Sequence, residues 1–203
     1  WQSREGTSIG EKYGLIALGL FKDEEDIAKS PVQTFGPVQP GDIKYKDMNN
    51  DGKIDSMDEA YLGKSTVPTS MFGFSFGYSF KNFDVSVLFQ GALGGVIFME
   101  GETVWPFSKY AGVLADVKDN HFSAENPDPN AEWPRMVSNV NNNNYISSSF
   151  WMRSTDYIRL KNFEIGYSLP KKWMKKVNIQ NARFYATGQN LFTIDNVKIF
   201  DPE

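Results

Sequence analysis

From Phe72 to Phe80 the chain alternates without a break. Phe72, Phe74, Phe76, Tyr78 and Phe80 carry rings, and Gly73, Ser75, Gly77 and Ser79 between them carry almost no side chain. A period of two puts alternate side chains on opposite faces of a strand, so one face of this strand is a wall of rings. Lys81-Asn82 interrupts the pattern. Phe83, Val85, Val87 and Phe89 then alternate with Asp84, Ser86, Leu88 and Gln90, which predicts a second strand joined by a tight hairpin, with Asn82 as the residue suited to positive φ. A third strand is predicted over Tyr157 to Leu169. Ile158 and Leu160 have one parity and Phe163, Ile165 and Tyr167 the other, so a bulge near Lys161-Asn162 is needed to return them to one face. Pro170 ends that strand, and another is expected from Ala182 to about Ile194.

Between these strands the pattern is weaker. Gly14 to Phe21 is the longest apolar run, and Asp23 to Asp26 followed by Ile27-Ala28-Lys29 predicts one helical turn stopped at Ser30-Pro31. Pro31 to Pro40 reads as extended loop. Glu100 to about Ser149 shows no sustained period, which gives a loop of about 50 residues, too long for a compact soluble domain. The link Lys171-Lys172-Trp173-Met174-Lys175-Lys176 reads equally as a solvated turn or as an interfacial anchor with Trp at headgroup depth.

Composition agrees with a two-faced sheet. The 203 residues include 16 Phe, 9 Tyr and 5 Trp, yet the mean hydropathy is −0.43, as expected where apolar and polar residues alternate. The net charge of −4 gives no broad positive field for nucleic acid. No apolar run approaches the roughly 18 to 20 residues of a membrane helix. With no cysteine, disulfides, zinc-thiolate sites and cysteine nucleophiles are excluded. His121, the one histidine, lies in a polar stretch and reads as a loop residue. Asp84 and Glu164 have no recognisable acid–base context, and neither a nucleophile motif nor a phosphate-binding glycine loop is present, so an enzyme is not expected and no catalytic residue is assigned.

One segment carries chemistry. Asp47 to Asp58 fits the calcium-loop pattern D-x-[DN]-x-D-G-x-I-D-x-x-D, with Asp47, Asn49 and Asp51 at positions 1, 3 and 5, Gly52 at the sharp turn and the Lys53 carbonyl at position 7. Asp55 takes position 9, directly or through water. Asp58 stands at position 12, where an EF-hand has a longer bidentate Glu, and Glu59 is a spare candidate. Ile54 is expected to tuck inward. Helices do not flank the loop, so a structural calcium ion is the expectation; without one, the same side chains would cap their own backbone.

Pro40-Gly41-Asp42-Ile43-Lys44-Tyr45, Asp47 to Asp55, Phe72-Gly73-Phe74, Phe83 to Val87 and Phe89-Gln90-Gly91 resemble, in order, the C-terminal barrel region of SusC/RagA-type TonB-dependent transporters of the Bacteroidota. So do Tyr157 to Asn162, Gly166 to Pro170, Gly188-Gln189-Asn190-Leu191-Phe192 and Asp201-Pro202-Glu203. The resemblance implies an all-β fold: a segment, of five or six strands, of a large antiparallel transmembrane β-barrel of about 22 strands with long extracellular loops. It implies import of glycans or peptides across the outer membrane, a SusD-like surface lipoprotein partner, energy from TonB, contact with outer-membrane lipid, and leaves open a dimer of such pairs. An isolated arc would have unpaired edges in lipid, so the chain, which lacks a plug domain and final strands, is expected to be part of a longer protein. With Lys81-Asn82 and Leu169 to Asn181 as periplasmic turns, the calcium loop, Glu100 to Ser149 and the tail after Ile194 lie outside the cell. Phe72 to Phe80 face lipid, and Phe80, Phe83 and Trp151 are candidates for interfacial girdles.

Two other readings fit part of the pattern. One is a soluble calcium-stapled β-sandwich that binds carbohydrate on Trp105, Trp133 or Trp151. The other is a SusC-like scaffold component of an outer-membrane assembly that no longer imports.

Overall fold

The computed structural model describes residues 5–7, 10–102, 104–108, 112–138, 141–175 and 178–202. In chain order the strands are β1 (Glu11–Gly14), β2 (Ala17–Leu20), β3 (Val32–Gln33), β4 (Ile43–Tyr45), β5 (Lys53–Ile54) and β6 (Ala60–Ser65). They are followed by β7 (Ser70–Phe80), β8 (Phe83–Leu93), β9 (Val96–Phe98), β10 (Met152–Ser154), β11 (Tyr157–Ser168) and β12 (Arg183–Asp195). Three short helices, α1 (Glu24–Lys29), α2 (Ala115–Asn120) and α3 (Lys171–Met174), complete the elements used below. Strand predominates over helix, and the chain divides into two units, one of Trp1–Thr66 with Ile97–Arg153 and one of Val67–Val96 with Ser154–Glu203.

The second unit is an antiparallel sheet in the order β12-β11-β8-β7. Phe80 pairs with Phe83 across the Lys81-Asn82 turn, and the register runs unbroken to Ser70 opposite Leu93. The positive φ falls on Lys81, at 55°, and not on Asn82. The bulge expected near Lys161-Asn162 is present, since the register of β11 shifts between Leu160 and Asn162 against both neighbours. Among the described residues four strands share this sheet, and the short strands form separate two-stranded pairs, because their apolar residues come in runs too brief to sustain a long ladder.

The first unit is built from those short pairs. β1 pairs with β6 and β2 with β4, both antiparallel, and β3 pairs with β5 in parallel. α1 sits where the acidic turn was predicted, its Asp23 cap accepting from the Asp26 amide at 2.8 Å; the aligned amides favour acidic residues in this first turn. Glu100 to Ser149 is more ordered than its lack of period suggests. It contains α2, and Val104, Val117, Phe122 and Trp133 are buried. It is tied to the N-terminal strands by backbone bonds from Leu15 to Ser147, from Ser149 to Leu15 and from Arg135 to Gly41. Gly41 has φ of +86°, and a Cβ there would lie 2.7 Å from Cγ of Phe122, so only glycine admits this ring at this backbone conformation.

Candidate functional site

The register of the second unit sorts its side chains into two faces. Phe72, Phe74, Phe76, Tyr78 and Phe80 stand opposite Gly91, Phe89, Val87, Val85 and Phe83. These pair in turn with Ile158, Leu160, Phe163, Ile165 and Tyr167, whose partners on β12 are Ile194, Phe192, Gly188, Ala186 and Phe184. One face is therefore apolar across all four strands, and the Lys161 bulge keeps it so. The other face holds Ser75, Ser79, Asp84, Ser86, Gln90, Arg159, Asn162, Glu164, Arg183, Thr187 and Gln189. Every residue of β7 is exposed, including its five rings. A large exposed apolar surface marks contact with lipid or with another protein.

The polar face has its own organisation. Arg183 donates to Asp84 and to Glu164, the latter at 2.5 Å, so three strands are joined by one guanidinium. At the other end Arg159 is buried, donates to the Thr193 hydroxyl at 2.9 Å and is paired with Asp201.

In the first unit the Asp47 to Asp58 loop is wound by its own side chains. The Asp47 carboxylate accepts from the Asn50 and Gly52 amides at 2.6 and 2.9 Å. Asn49 accepts from Asp51 and Asp51 from Lys53, both at 2.9 Å. Gly52 has φ of +83°, the turn that position 6 requires, and Ile54 is buried as expected. Asp58 is 0% exposed, with its two oxygens accepting from Met48 at 2.8 Å and Asp55 at 2.9 Å. Asp55 caps the Met57 amide at 2.7 Å. Among the described residues no three His, Cys, Asp or Glu side chains are grouped as a metal site. The expected donor set also draws on the Asn49 amide oxygen and the Lys53 carbonyl. All these donors are oxygens, which suits a hard cation, and each carboxylate oxygen bonded to one amide keeps a further lone pair.

Sequence reading missed the buried polar centre of this unit. Asp42 is fully buried and held by Arg135 through Nε at 2.7 Å and Nη2 at 3.1 Å. Asn141 and Asn144 each donate to it at 2.9 Å, and the Gln39 amide does so at 2.8 Å. Asn143 receives Gln33 at 2.7 Å and donates to the Ile43 carbonyl at 3.0 Å. The run Asn141 to Asn144 thus replaces water for the edge of β4, which is why polar residues are tolerated at full burial. Burial pushes the Tyr45 hydroxyl above its ordinary pKa, and Tyr45 donates to the Asn143 carbonyl at 2.8 Å. Lys44 holds the Asp26 carboxyl below its usual value.

The tryptophans change role. Trp133 and Trp151 are each 1% exposed, their rings 6.1 Å apart, and their indole N–H groups donate to Asp116 and to the Asn144 carbonyl. They are core residues, so neither is a sugar platform and Trp151 is not part of a lipid girdle. Trp105 stacks on Tyr145 at 4.4 Å. His121 follows α2 and its Nδ1 lies 2.7 Å from the Lys118 carbonyl, the place of an ordinary loop residue.

No family model matches the chain. TonB-dependent receptor P3 of Formosa agariphila is 30% identical over 200 residues, covering 98% of this chain and 19% of that protein. TonB-dependent receptor P26 of the same organism is 31% identical over 210 residues. The chain is related to the TonB-dependent receptors. SusC of Bacteroides thetaiotaomicron is 24% identical over 166 residues, or 81% of this chain and 16% of SusC. The RagAB peptide importer in its open-open state superposes with a TM-score of 0.64 at 18% identity, over 97% of this chain and 21% of that one. The chain spans about a fifth of the length of the receptors it matches.

Proposed function

We propose that this chain forms part of the wall of an outer-membrane β-barrel that imports nutrients in partnership with a SusD-like surface lipoprotein and powered through TonB. The observation that carries the reading is the four-stranded sheet with an apolar face across all its strands and a polar face behind it. Such a sheet is stable where lipid covers one side and a polar lumen the other. Its edge strands β7 and β12, of 11 and 13 residues, are long enough to cross a bilayer and would pair with further strands of a closed barrel. In this reading the Lys81-Asn82 turn and the link after Ser168 are periplasmic, and the first unit lies outside the cell. The Asp47 to Asp58 loop would hold a structural calcium ion there through Asp47, Asn49, Asp51, the Lys53 carbonyl and Asp55, with Asp58 fixing the end of the loop. The ion would neutralise its carboxylates.

The test is fractionation and uptake with the parent protein. It is expected in the outer membrane and soluble only in detergent. Cells carrying it should accumulate labelled oligosaccharide or oligopeptide in a manner abolished by a protonophore, and cells lacking it should not. A parent protein soluble in water without detergent would overturn the reading, and an outer-membrane protein whose loss leaves uptake unchanged would overturn import.

A further inference from the structure

The turn end of the second unit concentrates positive charge and aromatic rings, although the chain as a whole carries a net charge of −4. Residues 169–182 contain four lysines and neither Asp nor Glu. Lys171, Lys172 and Lys175 are exposed, and Lys176 lies outside the described residues. Trp173 in α3 is 61% exposed while its neighbour Met174 is buried, so this short turn seats one apolar residue and leaves the indole outside. The link is locked beside the β7–β8 hairpin: the Ser168 amide donates to the Asn82 carbonyl at 2.8 Å, and the Leu169 amide to the Ala182 carbonyl at 2.9 Å. That hairpin adds Lys81, whose ammonium lies 5.1 Å from the Phe80 ring centroid.

The last rung of the apolar face lies at the same end. Phe80, Phe83, Tyr167 and Phe184 follow one another across β7, β8, β11 and β12, with the Phe83 and Tyr167 rings 4.5 Å apart. The acids nearest this end, Asp84 and Glu164, are both bonded to Arg183 and do not oppose the lysines. An aromatic row followed directly by exposed lysines and one exposed Trp has the order of a bilayer boundary: acyl chains, then carbonyls, then phosphates.

We infer that this end is a docking surface for the headgroups of anionic phospholipids in the leaflet on the turn side of the barrel. Lys81, Lys171, Lys172 and Lys175 take the phosphates, and Trp173 fixes the depth of the link at the glycerol level. The inference rests on the barrel-wall reading. It goes beyond a girdle of aromatics because it assigns a lipid class: zwitterionic headgroups carry no net charge to reward four cations, whereas phosphatidylglycerol does.

The experiment uses the full-length parent protein extracted in mild detergent from membranes or nanodiscs containing equal phosphatidylglycerol and phosphatidylethanolamine, with bound lipid counted by native mass spectrometry. Wild type is expected to retain phosphatidylglycerol in preference. The triple variant K171Q/K172Q/K175Q should lose at least about tenfold of that preference, and W173A should lose retained lipid of both kinds. Equal retention of the two lipids by wild type overturns the inference whatever the variants do, and leaves the barrel reading intact. A parent protein that enters neither detergent nor nanodisc overturns the barrel reading and this inference with it.

Discussion

Arg183 on β12 reaches across β11 to Asp84 on β8, and it passes over Gly166. A Cβ on Gly166 would lie 2.7 Å from Arg183 Nε and 2.7 Å from Asp84 Oδ2, so a side chain between the partners would push the bridge out of its present geometry. The bridge spans two strand spacings, and its hydrogen bonds fix the relative register of β8, β11 and β12 on the polar face.

Gly166→Ala should therefore separate the pair rather than merely crowd it. The effect is read as a lower temperature for loss of the heat-resistant barrel form on a denaturing gel. In a double-mutant cycle the cost should shrink when Arg183→Ala is already present. Equal cost in both backgrounds would mean that Gly166 serves the backbone and not the bridge.

The assignment of faces gives an asymmetric pair. Phe76 and Ser75 are neighbours near the middle of β7 on opposite faces. Phe76→Lys should lower stability by about 2 to 4 kcal/mol, the cost of a lysine on a lipid-facing position near the bilayer midplane. Ser75→Lys should cost little. The measurement is the fraction of parent protein assembled in the outer membrane, and equal loss for both would refute the assignment.

The second unit was legible in the sequence because each long strand repeats a period of two, and a parity switch at Lys161 has no other remedy than a bulge. The hairpin was legible too, but its positive-φ residue was not: both Lys and Asn were available, and the turn has it at Lys81. The first unit was opaque for a different reason. Its strands are two to six residues long, too short to show a period, and its centre is polar. Asn143 and Asn144 look like loop residues, since nothing local reveals that they bond to Gln33, Asp42 and Ile43, about 100 residues away. The Trp residues misled in the same way, because burial of an indole depends on an acceptor such as Asp116 that only the fold brings near.

The buried asparagines should be intolerant of truncation. Asn144→Ala removes the acceptor of the Ile43 amide, 2.9 Å away, and one donor to buried Asp42. Leaving such groups without partners costs about 1 to 3 kcal/mol. Hydrogen exchange in the parent protein should show faster exchange in β4, while Asn142→Ala, at an exposed position, should leave β4 unchanged.

Acid should loosen α1. The Asp26 carboxyl lies below its ordinary value of 3.8, chiefly through its hydrogen bond to Lys44, 2.6 Å away. A folded pKa below the unfolded one contributes stability above pH 3.8 that is lost as pH falls through the folded value. Cleavage between Lys22 and Ser30 by an acid-active protease should rise over that fall in wild type. Asp26→Asn, already without the charge, should show a smaller rise than wild type over the same window, with both rates normalised to cleavage of an unstructured peptide.

Calcium supplies the remaining test, and the loop's own bonding tells how to read it. Asp47, Asn49 and Asp51 are held by successive backbone amides, so the loop keeps its shape with or without an ion, and chelation should not unfold the unit. What an ion adds is neutralisation of three carboxylates within nine residues, Asp47, Asp51 and Asp55. Binding at an exposed loop of this type belongs in the range of about 10⁻⁴ to 10⁻³ M. Added calcium should then slow proteolysis within residues 42–59 of the parent protein, and a chelator should reverse the effect. Asp51→Ala should abolish the difference, whereas Lys53→Ala should preserve it, because position 7 contributes only its carbonyl. If wild type is cleaved at one rate with calcium and with chelator, the loop is a self-capped turn and binds no ion at that concentration.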